Sequence, residues 1–203
     1  MTGLARRLWQ DRTGGSAAEF AMVVPLLLLF IFGAIDVGRF MWTMNEAEKA
    51  AQMGARFAVA TDVIPTAMAS YSYAVSGGIA QGDPIPQSAF PGVDCTSTAC
   101  TCKSGGSCPF GMTRNATAFT NLVTYMARIK PDIAAGNVTV SYDYSGLGYA
   151  GNPNGPDVSP LITVNLSNLT FQPITLLVFG ASFRLPDIGA TLPMEDGIGT
   201  SLN

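Results

Sequence analysis

Residues 20–35 read "FAMVVPLLLLFIFGAI", sixteen positions without a charge, bounded by Glu19 on one side and Asp36 on the other. No other stretch restricts the fold so strongly. As a helix rising ~1.5 Å per residue the run covers about 24 Å, short of the ~30 Å hydrocarbon layer of a bilayer. Adding Ala17, Ala18 and Val37 makes a full span, and that span then contains both carboxylates. Pro25 lies within its first two turns, where a helix tolerates proline better than at its centre. Arg6, Arg7 and Arg12 precede the run against one acid, Asp11. By the positive-inside tendency the N-terminus stays cytoplasmic and the rest of the chain crosses outward.

An ordinary signal peptide fits poorly. Its apolar core would be followed by a small-x-small cleavage site, whereas here "DVGRFMWTMNEAEKA" brings acids, an arginine and bulky aromatics. The twin arginines of "ARRLWQ" lack the rest of a Tat signal. A plain uncleaved anchor accounts for the run but not for Glu19. A carboxylate in a low-dielectric layer is costly unless paired, so it either sits solvated among headgroups or meets a cation.

Composition narrows the function classes. Charged residues make up only 12% of the 203, against the ~25% usual for soluble domains, and 48% are hydrophobic. The net charge of −3 gives no basic face for nucleic acid. There is no histidine, which removes the commonest general base, the usual triads and histidine-containing metal sites. An exported enzyme would have to use acid pairs drawn from residues such as Asp143, Asp157 or Asp187, or a serine with a lysine base, and none lies in a motif with catalytic geometry. No catalytic, metal or cofactor site is expected, and no small-molecule substrate.

Several pieces together carry a family resemblance. "GSAAEF" places a glutamate fifth and an aromatic sixth after Gly14; "P-LLLL", "GAIDVGR" and "A-x-x-GAR" follow. Over roughly residues 12–60 the chain resembles the TadE-like family, minor pseudopilins of tight-adherence type IV pilus systems. The closing "FRLPDIGATLPMEDG" is similar to the family's terminal strand, but Glu195 and Asp196 stand where basic residues would follow the methionine. The resemblance implies a prepilin peptidase cutting between Gly14 and Gly15, which makes Gly15 the new N-terminus. It also implies Glu19 and Phe20 as assembly residues, Glu19 meeting the N-terminal amine of a subunit. The implied protein is non-catalytic and single-pass in the bacterial inner membrane, with its head in the periplasm. Its partners would be other pseudopilins, the pilus machinery and membrane lipid. An exported binding or adhesin module with an unprocessed leader is the alternative.

The organisation expected is a basic leader (1–14), a transmembrane and spine helix (15–62), and an extracytoplasmic α+β head (63–203). The head is pilin-like, with helices and a small antiparallel sheet. No glycine-proline punctuation interrupts the helix before Pro65. A helix over 17–60 would run about 65 Å. Its outer half carries Ala47, Ala50, Ala51, Gly54, Ala55 and Ala58 on one stripe. Such a stripe lets a backbone approach closely, either the head of the same chain or a neighbouring subunit.

Residues 76–113 read as a turn-rich loop holding Cys95, Cys100, Cys102 and Cys108. The spacing differs from paired zinc knuckles. Outside the cytoplasm thiols oxidise, so two disulfides are expected, with a four-thiolate metal site as the other possibility. Three connectivities exist, and pairing Cys100 with Cys102 would close a very tight ring. Phe119, Leu122, Val123, Met126 and Ile129 recur at helical intervals up to the Lys130–Pro131 stop. Val138, Val140, Tyr142 and Tyr144 alternate as a strand. Ile162, Val164 and Leu166 do likewise, and the parity shift to Leu169 and Phe171 requires a bulge or break at Ser167–Asn168. A further strand is expected within 181–192, interrupted at Pro186. The apolar nonapeptide "PITLLVFGA" from Pro173 is too short to span a bilayer. It is either core or turn packing, or a patch for a membrane surface or partner. Sequons begin at Asn115, Asn137, Asn165 and Asn168, and in a bacterial protein they are incidental.

Overall fold

The structure is a computed structural model that describes residues 15–195. The leader, Gly14 included, and the stretch from Asp196 onward lie outside the described residues. The described residues form an α+β protein: a long N-terminal apolar helix, then a head with an α-helix and an antiparallel sheet. It divides into two compact units, Met1–Trp42 with Phe171–Phe183, and Thr43–Thr170 with Arg184–Asn203.

Helix α1 (Gly15–Ala60) contributes residues to both units. It continues through Pro25. Over residues 20–35, within the first unit, it is apolar all round, with Phe20, Met22, Leu26 and Phe30 each at least 70% exposed. A helix apolar on every face and uncovered by protein is suited to lipid. An 18-residue window in it reaches a mean hydropathy of 2.5.

In the second unit α1 changes character. Ala47, Ala50, Ala51, Gly54, Ala55 and Ala58 are all buried, so the small-residue stripe is used within its own chain. Helix α2 (Ala116–Ala127) packs on it. A Cβ at Gly54 would stand 2.7 Å from Met126 Sδ, and Phe57 stacks on Tyr125 with ring centroids 4.9 Å apart. Glycine and alanine permit that approach. Asn115 starts α2 as its N-cap, its side-chain oxygen accepting from the Ala118 amide at 3.0 Å. The buried face is Ala118, Phe119, Leu122 and Met126, and α2 ends at Ala127, before Ile129.

The strands of the described chain are β1 (Gly92–Cys95), β2 (Cys100–Cys102), β3 (Val138–Asp143), β4 (Leu161–Leu166), β5 (Thr170–Phe171), β6 (Phe183–Arg184) and β7 (Ile188–Pro193). Five of them form an antiparallel sheet in the order β2-β1-β3-β4-β7. Val140 pairs with Val164 and Tyr142 with Ile162; Val93 pairs with Tyr142 and Cys95 with Val140. These residues share one buried face, as the period of two requires. The opposite face is polar: Thr163 and Thr191, paired across β4 and β7, share a 2.8 Å hydroxyl hydrogen bond. Ile64 donates its backbone amide to the Tyr142 hydroxyl at 2.9 Å, fixing the chain that leaves α1 against the sheet. Tyr144 falls beyond the end of β3, and its hydroxyl donates to the Ile85 carbonyl.

The phase shift after Leu166 is a strand break. Asn168 adopts a left-handed conformation at φ 58°, and the chain resumes as β5. β5 pairs with β6 in a separate ribbon. Pro186 falls in the gap between β6 and β7. The cysteine segment differs from the turn-rich reading, because it contributes β1 and β2 to the edge of the main sheet. Strands of four and three residues are too short to display a period against their glycine and proline neighbours.

Candidate functional site

The residues implicated at the N-terminus begin the long helix. Gly15 opens α1, Glu19 follows one turn later, and Phe20 is 70% exposed beside it. Glu19 is itself exposed, so its carboxylate faces whatever surrounds the helix. The arrangement offers one acid at the entry to an apolar cylinder and, if Gly15 became a terminus, an amine one turn away.

Asp36, at the other end of the apolar run, is 6% exposed. Its Oδ1 accepts from the Ile174 amide at 2.7 Å and from Arg39 Nη1 at 3.1 Å. Its Oδ2 accepts from the Thr175 amide and the Thr175 hydroxyl, both at 2.8 Å. A carboxylate taking up four donors satisfies most of its acceptor capacity. Asp36 thereby ties the 171–183 segment to α1 inside the first unit. Phe171 closes the attachment edge-on against Phe40, at 5.5 Å between ring centroids, and Arg39 lies 5.4 Å from the Phe171 ring. Beside the clamp runs an apolar groove of about 360 Å³, lined among others by Gly33, Val37, Phe40, Leu176 and Phe183.

The sequence places Asp36 at the edge of the apolar run but gives it no partner. The partners are 138 and 139 residues away, and a neutral threonine-containing segment carries no charge to announce the pairing. The available signal is the coincidence of a second carboxylate at the run's edge with an uncharged nonapeptide elsewhere.

In the second unit the four cysteines form two disulfides, Cys95–Cys100 and Cys102–Cys108. Cys95 and Cys100 face each other in the β1–β2 register, so the first bridge closes the hairpin. Thr96 organises the turn by donating its amide to the Ala99 carbonyl and accepting the Ala99 amide on its hydroxyl. Lys103 bridges Asp94, at 3.2 Å, and Asp143, across the polar face of the sheet. Those ion pairs hold the Lys103 ammonium above its ordinary pKa in spite of partial burial.

Two of the three acids considered for catalysis have structural partners. Asp143 pairs with Lys103. Asp157, 4% exposed, accepts the backbone amides of Tyr73, Gly151 and Asn152 and so pins these loop segments together. Asp187 stands at the break between β6 and β7. Among the described residues no group of three or more histidine, cysteine or acidic side chains is placed to hold a metal ion.

Residues 14–56 match the family model described as TadE-like protein. The matched segment covers the apolar run, both flanking carboxylates and most of α1, well under half of the chain. No curated protein and no solved structure matches the chain.

Proposed function

We propose that the protein is a membrane-anchored minor pseudopilin that takes part in assembling a tight-adherence pilus, in a structural and non-catalytic role. A prepilin peptidase trims it between Gly14 and Gly15. It sits in the bacterial inner membrane through the first part of α1, N-terminus in the cytoplasm and head in the periplasm. Its partners are other pseudopilins and the assembly machinery.

The match to the TadE-like model carries this reading, because it begins at residue 14 and takes in the glutamate-aromatic pair five residues on. The two carboxylates of the run support it. Asp36 is satisfied within the chain, whereas Glu19 is exposed at the run's entry. An acid there gains most from a cation supplied by another molecule, and the amine freed at Gly15 of a neighbouring subunit is one. The paired disulfides suit an oxidising compartment for the head.

The test is the N-terminal sequence of the membrane-extracted protein, produced with and without a cognate prepilin peptidase. Processing to Gly15 only with the peptidase is the expected result. An intact leader under both conditions would replace this reading with an unprocessed exported binding module. Separately, Glu19→Ala should insert normally and co-purify less with pilus components; unchanged association would remove Glu19 from the mechanism.

A further inference from the structure

The segment 173–183, "PITLLVFGASF", has no charged residue, and three of its large side chains are more than half exposed: Leu177 59%, Phe179 80% and Phe183 53%. In water such a patch would be a liability. We propose that this strap is a second membrane contact, a shallow foot lying in the bilayer interface beside the transmembrane part of α1. The proposal rests on α1 being a membrane anchor, not on the pilus assignment.

The strap stands at the depth such a foot requires. It is hydrogen bonded to Asp36, the residue directly after Ile35, so it is fixed at the end of the apolar run. Its exposed side chains therefore continue the lipid-facing surface of α1, where Ile31 and Ile35 are 43% and 45% exposed. Exposed Trp42 lies six residues, or about 9 Å, past Asp36 along the helix, and tryptophan favours the headgroup level. Arg184 follows the strap directly in the sequence, and an arginine there suits anionic headgroups.

The backbone of the strap is independently suited to lipid. A segment entering the apolar layer must satisfy its peptide groups without water. Here the amides of Ile174 and Thr175 donate to Asp36. Those of Leu176, Leu177, Phe179, Gly180 and Ala181 donate to carbonyls inside the strap, through the 3-10 turn Leu177–Phe179. Proline at 173 has no amide to satisfy. Asp36 is thus the group that lets the first amides of an apolar turn leave water, and the groove beside the strap is one that acyl chains can fill.

The experiment places single tryptophans in the full-length protein with Trp9 and Trp42 replaced by phenylalanine. The protein is reconstituted into phosphatidylethanolamine–phosphatidylglycerol vesicles whose acyl chains are brominated near the headgroup or near the terminal methyl. Phe179→Trp and Leu177→Trp report the strap, Phe30→Trp the anchor, and Val75→Trp the head, where Val75 is 85% exposed. Expected for both strap positions are blue-shifted emission and loss of most intensity to shallow bromines, with less loss to deep ones. Phe30→Trp should be quenched more by deep bromines and Val75→Trp by neither. Strap tryptophans that emit as in water and resist quenching, while Phe30→Trp is quenched, overturn the proposal and leave the pilus reading intact. Blue-shifted but unquenched strap emission also overturns it, with another protein chain as the cover. An unquenched Phe30→Trp removes the anchor and the proposal together, whatever the outcome of leader processing.

Discussion

Gly54→Ala puts a methyl group into the contact between α1 and α2, and its sign can be worked out in advance. The added Cβ would meet Met126 Sδ at 2.7 Å, Cγ at 3.0 Å and Cε at 3.2 Å, and Met126 is fully buried. Overpacking of this kind costs about 1–3 kcal/mol. Alanine returns up to ~1 kcal/mol of helix propensity. The net expectation is a loss of ~0–2 kcal/mol, smaller if the flexible thioether swings aside. Met126→Ala alone should cost ~2–5 kcal/mol through the cavity it leaves. In the M126A background the steric term is gone, so Gly54→Ala should become stabilising by up to ~1 kcal/mol. The double-mutant cycle should show a coupling of about 1–3 kcal/mol. All six tyrosines belong to the second unit, so near-ultraviolet circular dichroism of the tyrosines in micelles follows that unit's urea unfolding selectively. With a urea slope of ~1–3 kcal/mol per molar, the coupling amounts to a midpoint difference of roughly 1 M. Equal stabilisation by Gly54→Ala in both backgrounds would refute the close approach of the two helices, and the alanine stripe would again be open to a neighbouring subunit.

Tyr142→Phe leaves the Ile64 amide without its buried acceptor, and should cost ~1–3 kcal/mol with an unchanged urea slope. Burial holds the Tyr142 hydroxyl above its ordinary pKa, so the stabilisation is complete below pH ~10 and is lost as pH rises further, by up to ~1.4 kcal/mol per unit; an unfolding midpoint flat from pH 9 to 12 would contradict this. Replacing Cys95 and Cys100 together by alanine opens a small ring and should lower stability by ~2 kcal/mol, with faster amide exchange in β1 and β2 than in β4. Asp36→Asn keeps the side-chain shape but loses an acceptor oxygen, so hydrogen exchange at Ile174 and Thr175 should accelerate while the β3 and β4 amides stay as slow as before; uniform acceleration would mean that Asp36 supports more than the strap.

Elements with a long, regular period are legible in the sequence. The uninterrupted pattern from Gly15 to Ala60, the alternation at 138–142 and the phase slip after Leu166 each follow from side-chain geometry alone. β1 and β2 are not legible, since seven strand residues among glycines and prolines leave no period and their partner, β3, is some forty residues on. Disulfide connectivity is hidden for a related reason: it depends on which hairpin register forms, and Cys95 opposite Cys100 is a property of that register. The sequons take on roles that spacing does not reveal. Asn115 caps α2, Asn137 accepts from the Ala134 amide and donates to the carbonyls of Ser167 and Asn168, and Asn168 makes the left-handed turn.

The use of the alanine stripe within the head bears on where subunit contacts can form. Small residues on a helix are often taken as an invitation to a second chain, yet here their surface is spent on the head of the same molecule. Two parts of the apolar unit keep exposed surface among the described residues: the apolar cylinder with Glu19 at its entry, and the strap at its far edge. A foot in the bilayer would occupy the strap, and it would also limit how far α1 can tilt or be drawn out of the membrane while Asp36 holds. Extraction of the helix during assembly would then require either releasing the Asp36 clamp or lifting an apolar turn into water. Under the proposed assembly role, Glu19 at the opposite end of the same run would offset part of that cost by pairing with an incoming amine.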